Sequence, residues 1–240
     1  MVANNFTYDI KSTQFPLNER LYNLVKAKKQ FIAKSLLDWS MKNACQFPWR
    51  KNTTAYRILI SELLLRRTRA QIVRRVFPSF IKRFPTLHDL SVATSKQIKK
   101  EIHTLGRTKR DIQIRNIAKN LSKKYMGRVP NSEIELLEII GKHSIYTVNA
   151  VRCFAYGERV PLFDINVSRI ISRVFSINLG NEPHKNKESW LLAETLLPDN
   201  RVKEFNWALI DLGRTVCISK PKCKICPLLK ICSFANPNSS

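Results

Sequence analysis

Apolar positions in this chain recur mostly at three- and four-residue intervals, interrupted by turn and capping residues, and no segment alternates convincingly as a strand. FPLNERLYNLVKAKKQFIAKSLLDWSMKN (15–43) reads as an amphipathic helix that packs against the C-terminal helices. After FPWR (47–50), AYRILISELLLRR reads as a largely buried helix. Thr68 with Gln71, Thr94 with Gln97 and Ser132 with Glu135 have capping-box spacing, so a helix is expected to begin at each. KRDIQIRNIAKNLSKKYMG is a longer amphipathic helix expected to stop at Gly127; IELLEII stops at Gly141 and IYTVNAVRCFAYG at Gly157. Asp164 precedes INVSRIISRVF, KESWLLAETLL ends at Pro198, and VKEFNWALIDLG ends at Gly213. There is no fixed-period repeat and no long linker. The pattern predicts an all-α fold.

Composition sharpens this picture. The chain has 240 residues, 44% of them hydrophobic, enough for one or two small domains with a real core. It carries 42 Lys+Arg against 18 Asp+Glu, a formal net charge of +24. That excess is far beyond what solubility needs, and a polyanion is the natural partner, because each cation placed on a phosphate releases a condensed counterion. Packing into a ribosome, binding to an anionic membrane surface and a simple lineage bias in composition are the alternatives. No run approaches the roughly 18 apolar residues of a membrane span, and MVANNFTYDIKSTQ has no apolar core of a secretory signal. A soluble, intracellular protein is expected, and there clustered cysteines favour metal ligation over disulfides.

Such a cluster closes the chain. VCISKPKCKICPLLKIC places Cys217, Cys223, Cys226 and Cys232 at C-x5-C-x2-C-x5-C spacing. Four thiolates in one short loop suit a tetrahedral zinc or a [4Fe–4S] cluster, and ligand count alone leaves both open. Ile225, Leu228, Leu229 and Ile231 are expected to shield the larger cluster, with Lys220, Lys222, Lys224 and Lys230 giving the loop a basic outer surface.

Two carboxylates stand out. Glu62 lies in ILISELLL with Ile58 and Leu65 on its own helical face, where desolvation should raise its pKa and suit it to proton donation. A snorkelling or salt-bridged glutamate is the plainer alternative. Asp164 has the position of an ordinary N-cap. Arg66, Arg67, Arg69, Arg74 and Arg75 follow Glu62, a run that on its own reads as a solvated face.

Taken in order, FPWR, ISELLLRRTRAQ, a hairpin followed by Tyr146, FDINVSRI, LAETLLP and FNWALIDLG before the cysteines resemble the helix-hairpin-helix DNA glycosylases of the endonuclease III and MutY superfamily, and among them most closely the Mig-type thymine·guanine mismatch glycosylases. The resemblance covers roughly residues 45 to 235. It implies a six-helix barrel-like domain over 54–158, with the helix-hairpin-helix at about 133–157, and a terminal domain from 1–53 plus 159–240 that carries a [4Fe–4S] loop at 217–232. The family usually has six residues between the first two cysteines; here there are five. Lys142 and Ser144 stand in the hairpin IGKHS where the family usually has two glycines, and a non-glycine residue at a left-handed position there would cost stability.

The resemblance also implies roles. Asp164 falls on the catalytic aspartate, which stabilises positive charge on the deoxyribose or orients the attacking water. Tyr146 falls where bifunctional relatives place a lysine; tyrosine cannot form a Schiff base, so excision without lyase activity is implied. Lys142, close by, is the residue that could restore a lyase step. Glu62 matches the residue that protonates adenine in MutY and is shared by the Mig subgroup. Arg67 falls where the family fills the hole left by the extruded nucleotide, with Thr68 and Ala70 near the base pocket. Trp207 either stacks on the flipped base or packs in the core. Lys142, His143 and Ser144 form the phosphate-facing hairpin. The implied partner is double-stranded DNA with a mismatched or altered base, bound by a monomer in the cytoplasm at the nucleoid. Two other readings remain: a MutY-like adenine glycosylase, against which stand Tyr146 and the eight residues after Cys232, and a non-catalytic DNA-binding relative.

Overall fold

The apolar periodicity is realised as helices. The protein's structure, a computed structural model, describes residues 19–106 and 109–237. In chain order the α-helices are α1 (Glu19–Asn43), α2 (Pro48–Lys51), α3 (Ala55–Leu65), α4 (Ala70–Arg83), α5 (Leu87–Val92), α6 (Ser95–Ile102), α7 (Arg110–Tyr125), α8 (Glu133–Ile140), α9 (Ile145–Tyr156), α10 (Ile165–Phe175), α11 (Lys187–Thr195) and α12 (Val202–Thr215), and no strand occurs among the described residues. The chain divides into two units, one of residues 46–158 and one of residues 1–45 with 159–240. No helix among the described residues is long and apolar enough to cross a membrane.

In the 46–158 unit, α3 is the axis. Every residue from Ile58 to Leu64 is buried, so this helix is covered on all sides, by α4, α7 and α9 among others. FPWR supplies an aromatic anchor at the entry: Phe47 stacks on Trp49 at 4.6 Å, and Trp49 meets Phe77 of α4 edge-on at 5.6 Å. Local capping fixes several starts. Thr94 and Gln97 form the expected box on α6, and Thr86 with Asp89 forms another on α5 that the sequence reading did not single out. Arg152 of α9 binds both Glu133, at the start of α8, and Glu158, just past its own helix, and so braces the hairpin's two helices.

Two expected starts differ. Ser132 precedes α8 with extended backbone, but its hydroxyl makes no cap. Thr68 does not open α4; the helix begins at Ala70 after Arg69, because the Thr68 hydroxyl is engaged in the preceding turn. The α7 helix stops one residue before the expected Gly127, at Met126, which takes the left-handed conformation itself.

In the discontinuous unit, α1 packs on α11 and α12 through Val25, Ile32, Ala33 and Leu36, as expected for the described part of the N-terminal helix; residues 15–18 of that expectation lie outside the described residues. Lys28 Nζ donates to the Ile231 carbonyl at 3.2 Å and Lys29 pairs with Asp199 at 3.0 Å, so two of the helix's lysines serve the unit itself. The fully buried Asp211 of α12 accepts from the Cys45 backbone N–H at 2.9 Å.

Gly213 corrects the sequence reading most instructively. It does not end α12, which continues to Thr215. It is there for close approach: a Cβ at 213 would stand 2.6 Å from Asn166 Cβ and 3.3 Å from the Asn166 backbone. Replacing Gly213 with Ala should therefore force α10 and α12 apart, costing about 1–3 kcal/mol of stability. The measurement is the denaturant midpoint of the variant, and an unchanged midpoint would contradict the close approach.

Candidate functional site

The 46–158 unit carries Glu62, the arginine run and the hairpin. Glu62 sits within the all-buried stretch of α3, with only 7% of its surface exposed. One turn on, the Arg66 guanidinium is itself largely covered; burial lowers its pKa, and the charge of Glu62 opposes that shift. Arg66 Nη2 donates to Ser144 Oγ at 2.8 Å and to Thr147 Oγ1 at 3.3 Å, which ties the end of α3 to the hairpin.

Between α3 and α4 the backbone makes a tight turn. The Thr68 N–H donates to the Leu65 carbonyl at 3.0 Å, Arg66 has φ −53° and ψ 118°, and Arg67 has φ +53°. These are the marks of a type II turn, whose third position normally needs glycine. A non-glycine residue there carries roughly 1–2 kcal/mol of strain. Arg67 is exposed, Thr68 half-buried and Ala70 buried. The Arg110 guanidinium, at the start of α7, reaches across: Nη2 donates to the Arg66 carbonyl oxygen and, at 3.1 Å, to Thr68 Oγ1. Arg110 is 5% exposed, and burial, with the Arg66 charge second, lowers its pKa.

The hairpin joins α8 to α9 through Gly141, Lys142, His143 and Ser144. Gly141 has φ +113° and is the one hairpin residue in the glycine-favouring region; Lys142 and Ser144 do not adopt positive φ. The cost expected for those two is therefore absent. Ser144 N–H donates to the Gly141 carbonyl at 3.0 Å, which closes the turn, while Lys142 and His143 are exposed. Tyr146 is the second residue of α9 and half-buried.

The discontinuous unit carries Asp164, Trp207 and the cysteines. Asn206 of α12 positions the segment that leads to Asp164: its Nδ2 donates to the Val160 carbonyl at 3.1 Å and its Oδ1 accepts from the Leu162 N–H at 3.4 Å. Asp164 then caps α10, its Oδ1 accepting from the Asn166 and Val167 N–H groups at 2.9 Å each, and its Oδ2 from Asn166 Nδ2 at 2.8 Å. The carboxylate is thus oriented at a helix N-terminus, where negative charge is favoured, and Oδ2 keeps acceptor capacity for a further partner. Trp207 is half-buried, with Lys203 Nζ 5.1 Å from its ring centroid.

A chain of contacts continues along α10. Asn166 Oδ1 accepts from Arg169 Nη2 at 2.8 Å; Arg169 also donates to the carbonyls of Cys217 at 2.7 Å and Gly213 at 2.8 Å. One turn on, Arg173 Nη1 donates to Cys217 Sγ at 3.4 Å and to the Ile218 carbonyl at 2.6 Å. Sequence reasoning passed over Asn166, Arg169 and Arg173, although their i, i+3, i+7 spacing marks one face of α10. It also passed over Arg110, for which the sequence offers no signal.

None of the six cysteines is joined in a disulfide. Cys217, Cys223, Cys226 and Cys232 line one cavity with about 290 Å³ of atom-free space, partly open to solvent, together with Val216, Leu229 and Ala235 among others. Burial, with Cys217, Cys232 and Cys223 as neighbours, pushes the Cys226 thiol up to about 11, against a backbone bond from Leu228. Thiols held like this ionise when a metal displaces their protons. Among the described residues no three His, Cys, Asp or Glu side chains converge as ligands of one ion. Four thiols round one cavity suit a zinc, which takes sulfurs about 2.3 Å from one centre, or a multi-iron cluster, each iron taking one of them. The shielding differs from expectation: Leu228 is buried and Leu229 and Ile231 half-buried, but Ile225 is 63% exposed and points away from that task. Lys220, Lys222, Lys224 and Lys230 are all exposed, so the loop's outer surface is basic as expected.

A family profile described as HhH-GPD superfamily base excision DNA repair protein matches residues 60–193. The chain is 34% identical over 211 residues to a thymine/uracil-DNA glycosylase of Methanothermobacter thermautotrophicus, covering 87% of this chain and 95% of that protein. It is 35% identical over 193 residues to an adenine DNA glycosylase of Buchnera aphidicola subsp. Baizongia pistaciae, covering 79% of this chain and 54% of that protein. The solved structure of a thermostable thymine-DNA glycosylase matches with a TM-score of 0.81 at 32% identity, over 88% of this chain and 98% of that one.

Proposed function

Because this chain belongs to the HhH-GPD superfamily of base excision DNA repair proteins, we propose that it is a monofunctional DNA glycosylase, which flips thymine or uracil mispaired with guanine out of the duplex and hydrolyses its N-glycosidic bond. The observation that carries the monofunctional reading is Tyr146 near the N-terminus of α9, in the place where a Schiff-base mechanism needs an amine. Asp164, held by three hydrogen bonds at the start of α10, supplies negative charge as the sugar becomes cationic, and its Oδ2 can orient the water that attacks.

The other site residues have parts of their own in this proposal. Glu62 contacts the flipped base from inside α3. Arg67, exposed on its turn, enters the space the base has left and donates to the acceptors of the estranged guanine. Thr68, Ala70 and Trp207 border the base. Lys142, His143 and Ser144 hold a DNA phosphate through the hairpin's backbone N–H groups and charge. Thymine is undamaged, so selection rests on the easier unpairing of the mismatch and on reading the guanine.

A second reading, adenine excision, draws on the similarity to an adenine DNA glycosylase; Glu62, which both subgroups share, does not choose between the two. Base release from otherwise identical duplexes carrying T·G, U·G or A·G decides between them. The proposal expects release from the first two, and release confined to A·G would overturn it.

The four cysteines hold a [4Fe–4S] cluster in this proposal, which staples the basic loop and carries no step of the hydrolysis. The purified protein should be brown with about four irons per chain. Zinc in a colourless protein would contradict this, and iron removal should loosen the loop beyond Val216.

A further inference from the structure

The turn between α3 and α4 is held in an unusual state by a residue more than forty positions away. Type I and type II turns differ by a flip of their central peptide, and here that peptide joins Arg66 to Arg67. In the type I form Arg67 would take negative φ without strain, and the Arg66 carbonyl would turn away from α7. In the observed form that carbonyl accepts from Arg110 Nη2 and, at 3.3 Å, from Thr68 Oγ1, and Thr68 Oγ1 in turn accepts from Arg110. The bond from Arg110 is thus available only to the type II form. Arg110 is buried, so its guanidinium must be satisfied where it stands; it also reaches the Leu105 carbonyl at 3.5 Å. Meanwhile Arg66 fastens the same turn to the hairpin at Ser144 and Thr147.

We infer that Arg110 is a positioning residue for Arg67: by clamping the Arg66 carbonyl it holds the flipped peptide, and so aims an arginine side chain outward from a turn position that ordinarily belongs to glycine. With Arg66 bridging to the hairpin, the element that grips a phosphate and the element that enters the duplex move as one. This rests on the reading that Arg67 fills the vacated space.

Two measurements test it on the full chain. Nuclear Overhauser contacts of the free protein read the turn: the type II form brings the Arg66 Hα close to the Arg67 N–H, and in Arg110→Gln that contact should weaken while a contact between the Arg66 and Arg67 N–H groups, the mark of type I, appears. The ratio of affinities for a duplex carrying a tetrahydrofuran abasic analogue opposite guanine, and for the same duplex fully paired, reads the consequence. That ratio should fall about tenfold in Arg110→Gln, yet change less than about twofold when the substitution is added to Arg67→Ala. Arg110→Lys, which keeps the charge and one donor, should lie between. An unchanged Arg66–Arg67 contact pattern in Arg110→Gln, or equal losses in both backgrounds as general damage would give, overturns the inference. A wild-type protein that prefers the abasic duplex but releases no base sinks the proposed activity and leaves Arg110 standing; one without that preference overturns both Arg67's part and Arg110's.

Discussion

Asp164→Asn should lower the single-turnover excision rate by about 10³-fold while leaving the fold nearly untouched. Asparagine is as good an N-cap as aspartate, so its side-chain oxygen can still accept from the Asn166 and Val167 N–H groups. The loss is the negative charge and the second carboxylate oxygen. Thermal unfolding of the variant alongside its rate separates the two roles of this residue. A variant that melts like the wild type yet excises normally would show that Asp164 is a cap and nothing more.

Tyr146→Lys should have the second largest effect, a change in the kind of product. An amine at the start of α9 could attack the sugar, so borohydride should trap a covalent protein–DNA adduct at least roughly tenfold above the wild-type background, and strands should break without alkali. The surroundings favour this. Arg66, hydrogen-bonded to Ser144 and Thr147 on either side of position 146, places a positive charge nearby that helps to keep an added amine neutral and nucleophilic. Tyr146→Phe is the control, which should trap nothing. If wild type and Tyr146→Lys trap equally, another amine, with Lys142 the first to test, is the nucleophile.

What was legible in the sequence is what local chemistry decides. Thr94 with Gln97 caps α6 because both partners lie within one turn, and the burial of Glu62 follows from the leucines and isoleucines on every side of it. Asp164 could be read as a cap from its position alone. What escaped depends on partners distant in sequence. Thr68 has the spacing of a helix start, but Arg110 recruits its hydroxyl to a turn. Gly213 looks like a stop, yet it is glycine because Asn166 of another helix lies against it. Asn166, Arg169 and Arg173 were visible as a polar face of α10, but not the backbone carbonyls of Gly213, Cys217 and Ile218 that they bind. Those bonds link the helix capped by Asp164 to the cysteine loop, a relation that motif spacing does not encode.

The central claim, that this protein hydrolyses a mismatched pyrimidine's glycosidic bond without cutting the strand, is tested most directly by a single-turnover reaction on an end-labelled duplex with one T·G mismatch, developed with and without hot alkali. Cleavage at the thymine that appears only after alkali is the predicted result. Cleavage in both lanes would contradict the monofunctional reading, and an intact strand in both would contradict thymine excision itself.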